Sequence, residues 1–422
     1  MERVILVGVR EKGDSAKVQE YSLEELRRLT ETAGGSVAGV LTQALERFNP
    51  RSLIGEGKVD EVAAAARAAG ARTVVFDEEL SPAQQIHLEE TMKAKVVDRT
   101  RLILDIFARR ARTKEGELQV ELAQLSYMLP RLTGSWRSYS QQVGGIGTRG
   151  PGERQLEYER RHIQRRIEHL RRAIARMEGE RALQRRRRES IPVPTVAILG
   201  YTNVGKSSLL NRLVGAAPAR ARKTVYADDK LFATLDPTSR RVILPQGGWA
   251  VFTDTVGFIS KLPTTLIAAF RSTLEEVARA DCLLHLEDAS SEDAARQRQT
   301  VETLLEDLGA EGLPRVRALN KADLLGTEAR ARARDLDPDA SLVSVRTGEG
   351  IGELLAKVER SLSERWILRE LTLDPARAGR LHEVYASAQV LSQAHPRGKI
   401  RLKLRVTPEN WKRLLHRFSD AA

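Results

Sequence analysis

Between residues 200 and 207 the chain reads GYTNVGKS, two glycines separated by four residues and followed at once by Lys and Ser. Gly200, Tyr201, Thr202, Asn203, Val204 and Gly205 form a loop in which the glycines let successive backbone N–H groups face one anion at a helix N-terminus. Lys206 is spaced to reach the β and γ phosphates of a nucleotide, and the Ser207 hydroxyl to hold a magnesium ion. A strand–turn–helix that merely contains glycines does not need Lys-Ser at that offset. The flanks agree with a phosphate cradle: Thr195–Leu199 is an apolar run of strand length, and Ser207–Leu213 begins an amphipathic helix.

Three further blocks select the nucleotide. FTDTVG ends at Gly257, so that Asp254, Thr255, Val256 and Gly257 bring a carboxylate to the magnesium shell and an N–H to the γ-phosphate. NKAD places Asn320, Lys321, Ala322 and Asp323 after an apolar strand. The Asp323 carboxylate can accept from both N1–H and the N2 amine of guanine. Adenine has no such donor pair, and a buried carboxylate left without donors is costly. Asn320 serves guanine O6/N7 or the loop itself, and Lys321 covers the ring. Ser344, Val345 and Arg346 can donate backbone N–H groups to O6. The substrate expected is GTP with Mg2+, and the candidate catalytic residues are Lys206 and Gly257. Phe258 stands where many small GTPases carry the glutamine that orients attacking water, so unaided hydrolysis should be slow. Asn203 is either a potassium ligand beside the phosphates or a side chain that steadies the loop.

These blocks must be positioned by a long chain. At 422 residues it exceeds one ordinary domain. Residues 1–110 alternate short apolar runs with helical patterns, from RVILVGV to SPAQQIHLEETMK, as an α/β domain with a parallel sheet does, and carry no phosphate loop. From Glu115 the period changes. Leu118, Leu122, Leu125, Leu129 and Leu132 recur at 4-3-4-3 spacing, as do Ile163, Ile167, Leu170, Ile174 and Met177, which predicts an antiparallel helical hairpin. Between the arms, Gly134–Gly152 holds six glycines, two arginines and no acid. Its Trp136, Arg137, Tyr139 and Arg149 are types that stack on bases and meet phosphates. The second arm, Glu153–Glu189, has thirteen arginines against seven glutamates. Such a run is either a solvated helix face or a nucleic-acid contact. ESIPVPTV links into the GTPase domain, and residues 364–422 hold a helix over ARAGRLHEVYASAQVL, the strand KIRLKLRV and the helix PENWKRLLHRF. The fold class expected is an α/β multidomain chain: an N-terminal parallel α/β domain (1–110), the hairpin with its Gly-rich loop (111–190), a Ras-like P-loop GTPase domain (191–363) and a small α+β domain (364–422).

Composition sets bounds. The net charge of +12, 69 Lys+Arg against 57 Asp+Glu, points towards a polyanionic partner. The single cysteine, Cys282, excludes a disulfide framework or a Cys-based zinc site within one chain. No apolar run approaches a membrane span, and the N-terminus is charged too early for a signal peptide, so a cytoplasmic protein is expected.

Residues 115–363 resemble the HflX family of translational GTPases, and NPRSLIGEGKVDEV and GGIGTRGPGERQLE are similar to that family's signature regions. The resemblance implies GTP hydrolysis coupled to binding of the large ribosomal subunit. It further implies splitting of stalled 70S ribosomes under stress, with the glycine-rich loop reaching towards the peptidyl-transferase centre in ribosomal RNA. It also implies that LFATLD lines the nucleotide through Phe232, Ala233, Thr234, Leu235 and Asp236, with Thr234 as a further catalytic residue on magnesium and the γ-phosphate. Two positions depart from the family pattern: Glu159 stands where Asp is usual, and Ser344–Arg346 where Ser-Ala-Lys is usual. A monomer is expected. The competing readings are a signalling switch that binds a protein effector through the N-terminal domain, and an ATP-dependent RNA remodelling activity there, for which no motif is present.

Overall fold

The computed structural model describes residues 1–132, 151–188, 193–215, 231–232, 235–261, 263, 277–363 and 365–419. Trp136, Arg137, Tyr139, Arg149, Ala233 and Thr234 lie outside the described residues. The chain forms two compact units.

The first unit comprises Met1–Arg176 with Lys230–Phe232 and Ser260–Phe270. Its strands β1 (Glu2–Glu11), β2 (Gly35–Leu45), β3 (Thr73–Phe76) and β4 (Lys95–Asp98) pair in the order β2-β1-β3-β4, all parallel. The continuous apolar run of β1 follows from burial on both faces of such a sheet: Val4 to Val7 are all buried. Helices α1 (Ala16–Thr32), α2 (Glu56–Ala69) and α3 (Pro82–Met92) alternate with the strands as the sequence predicts. Local chemistry sets their ends. Gly70, at φ 62°, closes α2, and Ser81 and Gln84 cap α3 reciprocally with Pro82 in its first turn. The strand KVVD and helix α4 (Arg99–Arg110) complete the layer; four residues are too few to show a strand period, and the readable signal is Asp98, which caps α4 by accepting from the Arg101 N–H.

Helix α5 (Lys114–Met128) departs from the predicted leucine seam. It buries Leu118 but also Gln119, Val120, Ala123 and Tyr127, while Leu122, Leu125, Leu129 and Leu132 are half-buried. The reason is that α5 packs on α4 as well, so its covered arc is wider than a two-helix seam. The Tyr127 hydroxyl donates to Asp98 Oδ1 at 2.8 Å. The second arm, α6 (Pro151–Arg188), buries Ile167, Leu170 and Ile174 as its period predicts. Arg166 joins it to α5 through two hydrogen bonds to Glu121, at 2.7 and 2.8 Å.

The second unit comprises Met177–Asp229, Ala233–Ile259 and Arg271–Ala422. Strands β5 (Thr195–Leu199), β6 (Thr238–Ile243), β7 (Trp249–Asp254), β8 (Cys282–Asp288), β9 (Arg315–Asn320) and β10 (Ser341–Leu342) make one sheet ordered β10-β9-β8-β5-β7-β6. Only the β6–β7 pair is antiparallel. Helices α7 (Lys206–Gly215), α8 (Ala294–Asp307), α9 (Thr327–Leu336) and α10 (Ile351–Leu362) connect these strands or follow the last of them. The C-terminal part is a three-stranded antiparallel sheet, β11 (Ile367–Leu373), β13 (Ile400–Val406) and β12 (Gln389–Ala394) in that order, with α11 (Leu381–Ser387) and α12 (Pro408–Ser419). The helix expected over ARAGRLHEVYASAQVL is a correction: α11 ends at Ser387, and QVL opens β12, because Val390 pairs with Leu404 of β13.

Candidate GTP-binding site

The phosphate loop leaves the carboxyl end of β5, which lies between β7 and β8 in the sheet. Gly200 sits at φ 148°, and a side chain there would collide with the Leu286 carbonyl oxygen. Gly205, at φ 98°, would place a Cβ 2.6 Å from Asn320 Nδ2. Both positions therefore require glycine. Asn203 is left-handed at φ 60°, a conformation that Asn tolerates better than most residues.

Lys206 is buried and donates to the carbonyls of Gly200 at 3.0 Å and Tyr201 at 2.7 Å. Burial pushes its ammonium down to about 8, against the opposing pull of Asp254. The Ser207 hydroxyl donates to Asp254 Oδ2 at 2.7 Å, and Asp254 is fully buried. A hydroxyl beside a carboxylate is an all-oxygen donor pair that fits a hard divalent cation. Thr255 is turned from the site, its hydroxyl donating to the Ile198 carbonyl at 2.7 Å.

Beyond Asp254 the chain is zipped to the phosphate loop. The Thr202 N–H donates to the Phe258 carbonyl at 2.8 Å and the Phe258 N–H to the Gly200 carbonyl at 3.2 Å, so Tyr201 and Phe258 form a parallel bridge. Gly257 is held so close that a Cβ would lie 3.0 Å from Lys206 Nζ. The Phe258 ring is buried, and no water-orienting group stands at that position. Leu235 is buried and Asp236 half-buried. Phe232 belongs to the first unit, where its ring packs edge-on against Phe107, centroids 4.6 Å apart. In the same unit Lys261 pairs with Asp77 at 2.6 Å, and Arg99 donates to the Ser260 carbonyl at 3.2 Å.

At the base end, Asn320 serves the loop. Its Nδ2 donates to the Val204 carbonyl at 2.8 Å, and its Oδ1 accepts from the Val345 N–H at 3.0 Å. One side chain therefore ties the phosphate loop to the Ser344–Arg346 loop, and it occupies the Val345 N–H that the sequence offers as a donor to guanine O6. The Asp323 carboxylate accepts from the Ser344 hydroxyl and from Arg346 Nε, the latter at 2.7 Å, and these two bonds hold it below the usual carboxylate range. Lys321 is left-handed at φ 65° and pairs with Asp288 at 2.7 Å. Ala322 is buried, its N–H donating to the Val343 carbonyl at 3.1 Å. Sequence reasoning missed Asp288 and Arg212. Arg212 Nη2 donates to the Thr347 carbonyl at 2.5 Å and so braces the base loop from α7. Neither lies in a motif, and only the fold brings them there.

Comparison with known proteins agrees with this geometry. Residues 195–321 match the family described as 50S ribosome-binding GTPase, residues 20–108 the GTP-binding GTPase N-terminal family, and residues 110–188 the GTP-binding GTPase middle region. GTPase HflX of Caldanaerobacter subterraneus subsp. tengcongensis is 48% identical over 361 residues, covering 86% of this chain and 81% of that protein. GTPase HflX of Escherichia coli K12 is 41% identical over 396 residues, covering 93% and 91%. Among solved structures, a GTP-binding protein from Sulfolobus solfataricus in complex with GDP aligns over 86% of this chain and 99% of its own, at 22% identity and a TM-score of 0.45. With a phosphate loop, a carboxylate–hydroxyl pair and a base loop all on the carboxyl edge of one sheet, and relatives of this identity over most of their length, the chain belongs to the HflX family of GTPases.

Proposed function

We propose that the chain is a ribosome factor that docks on the large ribosomal subunit and, with GTP, splits or rescues stalled 70S ribosomes under stress, acting as a monomer in the cytoplasm. The observation that carries the reading is α6. Tyr158, 68% exposed, and Arg160, Arg161, Arg165, Arg171, Arg172 and Arg176 are all exposed on a helix that follows an acid-free glycine loop, the combination expected of an RNA-facing device. No helix among the described residues is long and apolar enough to cross a membrane.

In this reading the domains are those of residues 1–110, 111–190, 191–363 and 364–422. Ser207 and Thr234, with Asp254 directly or through water, would hold a magnesium ion, which would neutralise developing charge on the phosphates. Lys206 exchanges its two carbonyl partners for phosphate oxygens. Gly257, freed from its place against Lys206, offers its N–H to the γ-phosphate. Asp323 selects guanine, and Asn203 is the candidate potassium ligand.

The glycine loop is the output element. Its Trp136, Arg137, Tyr139 and Arg149 would supply base stacking and phosphate contacts. Replacing residues 144–152 with a short Gly-Ser link should leave GTP affinity unchanged and sharply reduce splitting. Light scattering of 70S particles mixed with each variant and GTP measures this, and undiminished splitting by the shortened form would overturn the proposal.

A further inference from the structure

Residues 364–422 hold twelve Lys+Arg against six Asp+Glu, half of the net charge of the whole chain in about a seventh of its length. The strand β13 distributes that charge by its pleat. Ile400, Leu402 and Leu404 enter the core shared with Val384 of α11 and with Leu414 and Phe418 of α12, while Arg401, Lys403 and Arg405 point to the opposite face. Their neighbours on that face are set by register: Thr372 and Ala394 flank Arg401, and Glu370 and Ser392 flank Lys403.

The inner end of the face is already used. Arg405 forms a buried ion pair with Glu359 of α10, and the Gln389 side chain donates to the Trp249 carbonyl at 2.9 Å, so the sheet is docked on the GTP-binding part of the same unit. The outer end is open. Arg401 and Lys403 are exposed and have no ion pair or side-chain hydrogen bond among the described residues. Of the domain's other cations, Arg380 and Arg417 pair with Glu383 and Lys399 with Asp374, while Lys412 and Arg413 of α12 are exposed and, like Arg401 and Lys403, have no ion pair or side-chain hydrogen bond among the described residues.

A protein partner would require an apolar or aromatic anchor, and lysine is depleted in such interfaces. The domain's exposed large hydrophobics, Tyr385 and Leu415, lie on α11 and α12 instead. Two unpaired cations with Thr372 beside Arg401 and Ser392 beside Lys403 are donors matched to phosphate oxygens, and Glu370, the other neighbour of Lys403, forms no ion pair with it. We infer that the outer half of this sheet face, built on Arg401, Lys403, Thr372 and Ser392, is a second RNA-docking surface that grips the phosphodiester backbone. The RNA being that of the large ribosomal subunit rests on the proposed function above.

The experiment uses the full chain with a non-hydrolysable GTP analogue, purified large subunits, and deproteinised large-subunit RNA. The double variant R401E/K403E should bind subunits at least tenfold more weakly at physiological salt, with the salt dependence shallower by about two phosphate contacts. The double variant K412E/R413E, of equal charge change on α12, should stay within twofold of the parent, and both variants should bind GTP like the parent. A photo-crosslinker at position 403 should give an RNA adduct. Unchanged binding by R401E/K403E, an equal loss in K412E/R413E, or an adduct to ribosomal protein would overturn the inference. If the parent binds deproteinised RNA through Arg401 and Lys403 but not subunits, the surface stands and the ribosome reading falls.

Discussion

Asp323 is the proposed selector of guanine. Ser344 and Arg346 hold its carboxyl below the usual carboxylate range, which keeps it an ionised acceptor for the two donors of guanine that the proposal assigns to it. Asp323→Asn replaces one acceptor oxygen by a donor, which should shift preference from GTP to xanthosine triphosphate. Competition binding with both nucleotides checks this, and GTP binding at parental strength would remove the base assignment. His285 makes a different point. It is buried at 1% exposure, and desolvation pushes its imidazole down to about 4, with the nearby Glu287 opposing. The unfolded chain binds a proton near pH 6.5 that the folded chain refuses until about pH 4, so stability is full above 6.5 and falls as pH drops between those values. The loss from this group is about 1.4 kcal/mol per pH unit in that window. His285→Gln should therefore lose roughly 1 kcal/mol less than the parent between pH 7 and 5.5, read from urea unfolding at the two pH values.

At the scale of elements, the glycines divide into those that hold the site and those that do not. Gly205→Ala must strain a φ of 98° and push Asn320 from its bridge between the Val204 carbonyl and the Val345 N–H. Because that bridge aligns the phosphate loop with the base loop, GTP affinity should fall at least tenfold, about 1.4 kcal/mol or more, by nucleotide titration. Gly352, inside α10 with open space where a Cβ would stand, is the contrasting case. Gly352→Ala should raise stability by about 0.5–1 kcal/mol in a thermal melt and leave nucleotide binding alone.

For the whole molecule, the placement of Phe258 leads to a prediction about rate. Its ring is buried and its backbone is bonded to Gly200 and Thr202, so no side chain there assists the attacking water. Basal GTP hydrolysis should be slow and should rise at least tenfold with large ribosomal subunits, measured as phosphate release. Potassium in place of sodium should accelerate it if Asn203 binds the cation. A fast rate indifferent to subunits would remove the partner from the activation scheme, and equal rates in the two salts would remove the cation.

The motifs of the candidate nucleotide site, and with them the GTPase domain, were legible because their parts are local. A glycine at a required φ, a Lys-Ser pair at fixed offset and a carboxylate two residues after the NK of NKAD are each specified within a few residues, and their order along the chain limits the fold to one sheet edge. The same holds for the strands of the parallel N-terminal sheet that lie before SPAQQIHLEETMK, whose apolar runs are short-range signals, and not for the four residues of β4. The tertiary structure alone decided that Asn320 bridges two loops rather than standing free for guanine, because its partners, Val204 and Val345, are distant in sequence. It alone set Phe232 against Phe107 and widened the buried arc of α5 beyond its leucine seam. It also ended α11 early in favour of β12. In each case the deciding interaction joins residues of different elements, whose meeting depends on how finished elements pack; periodicity and propensity report only what a residue's near neighbours require.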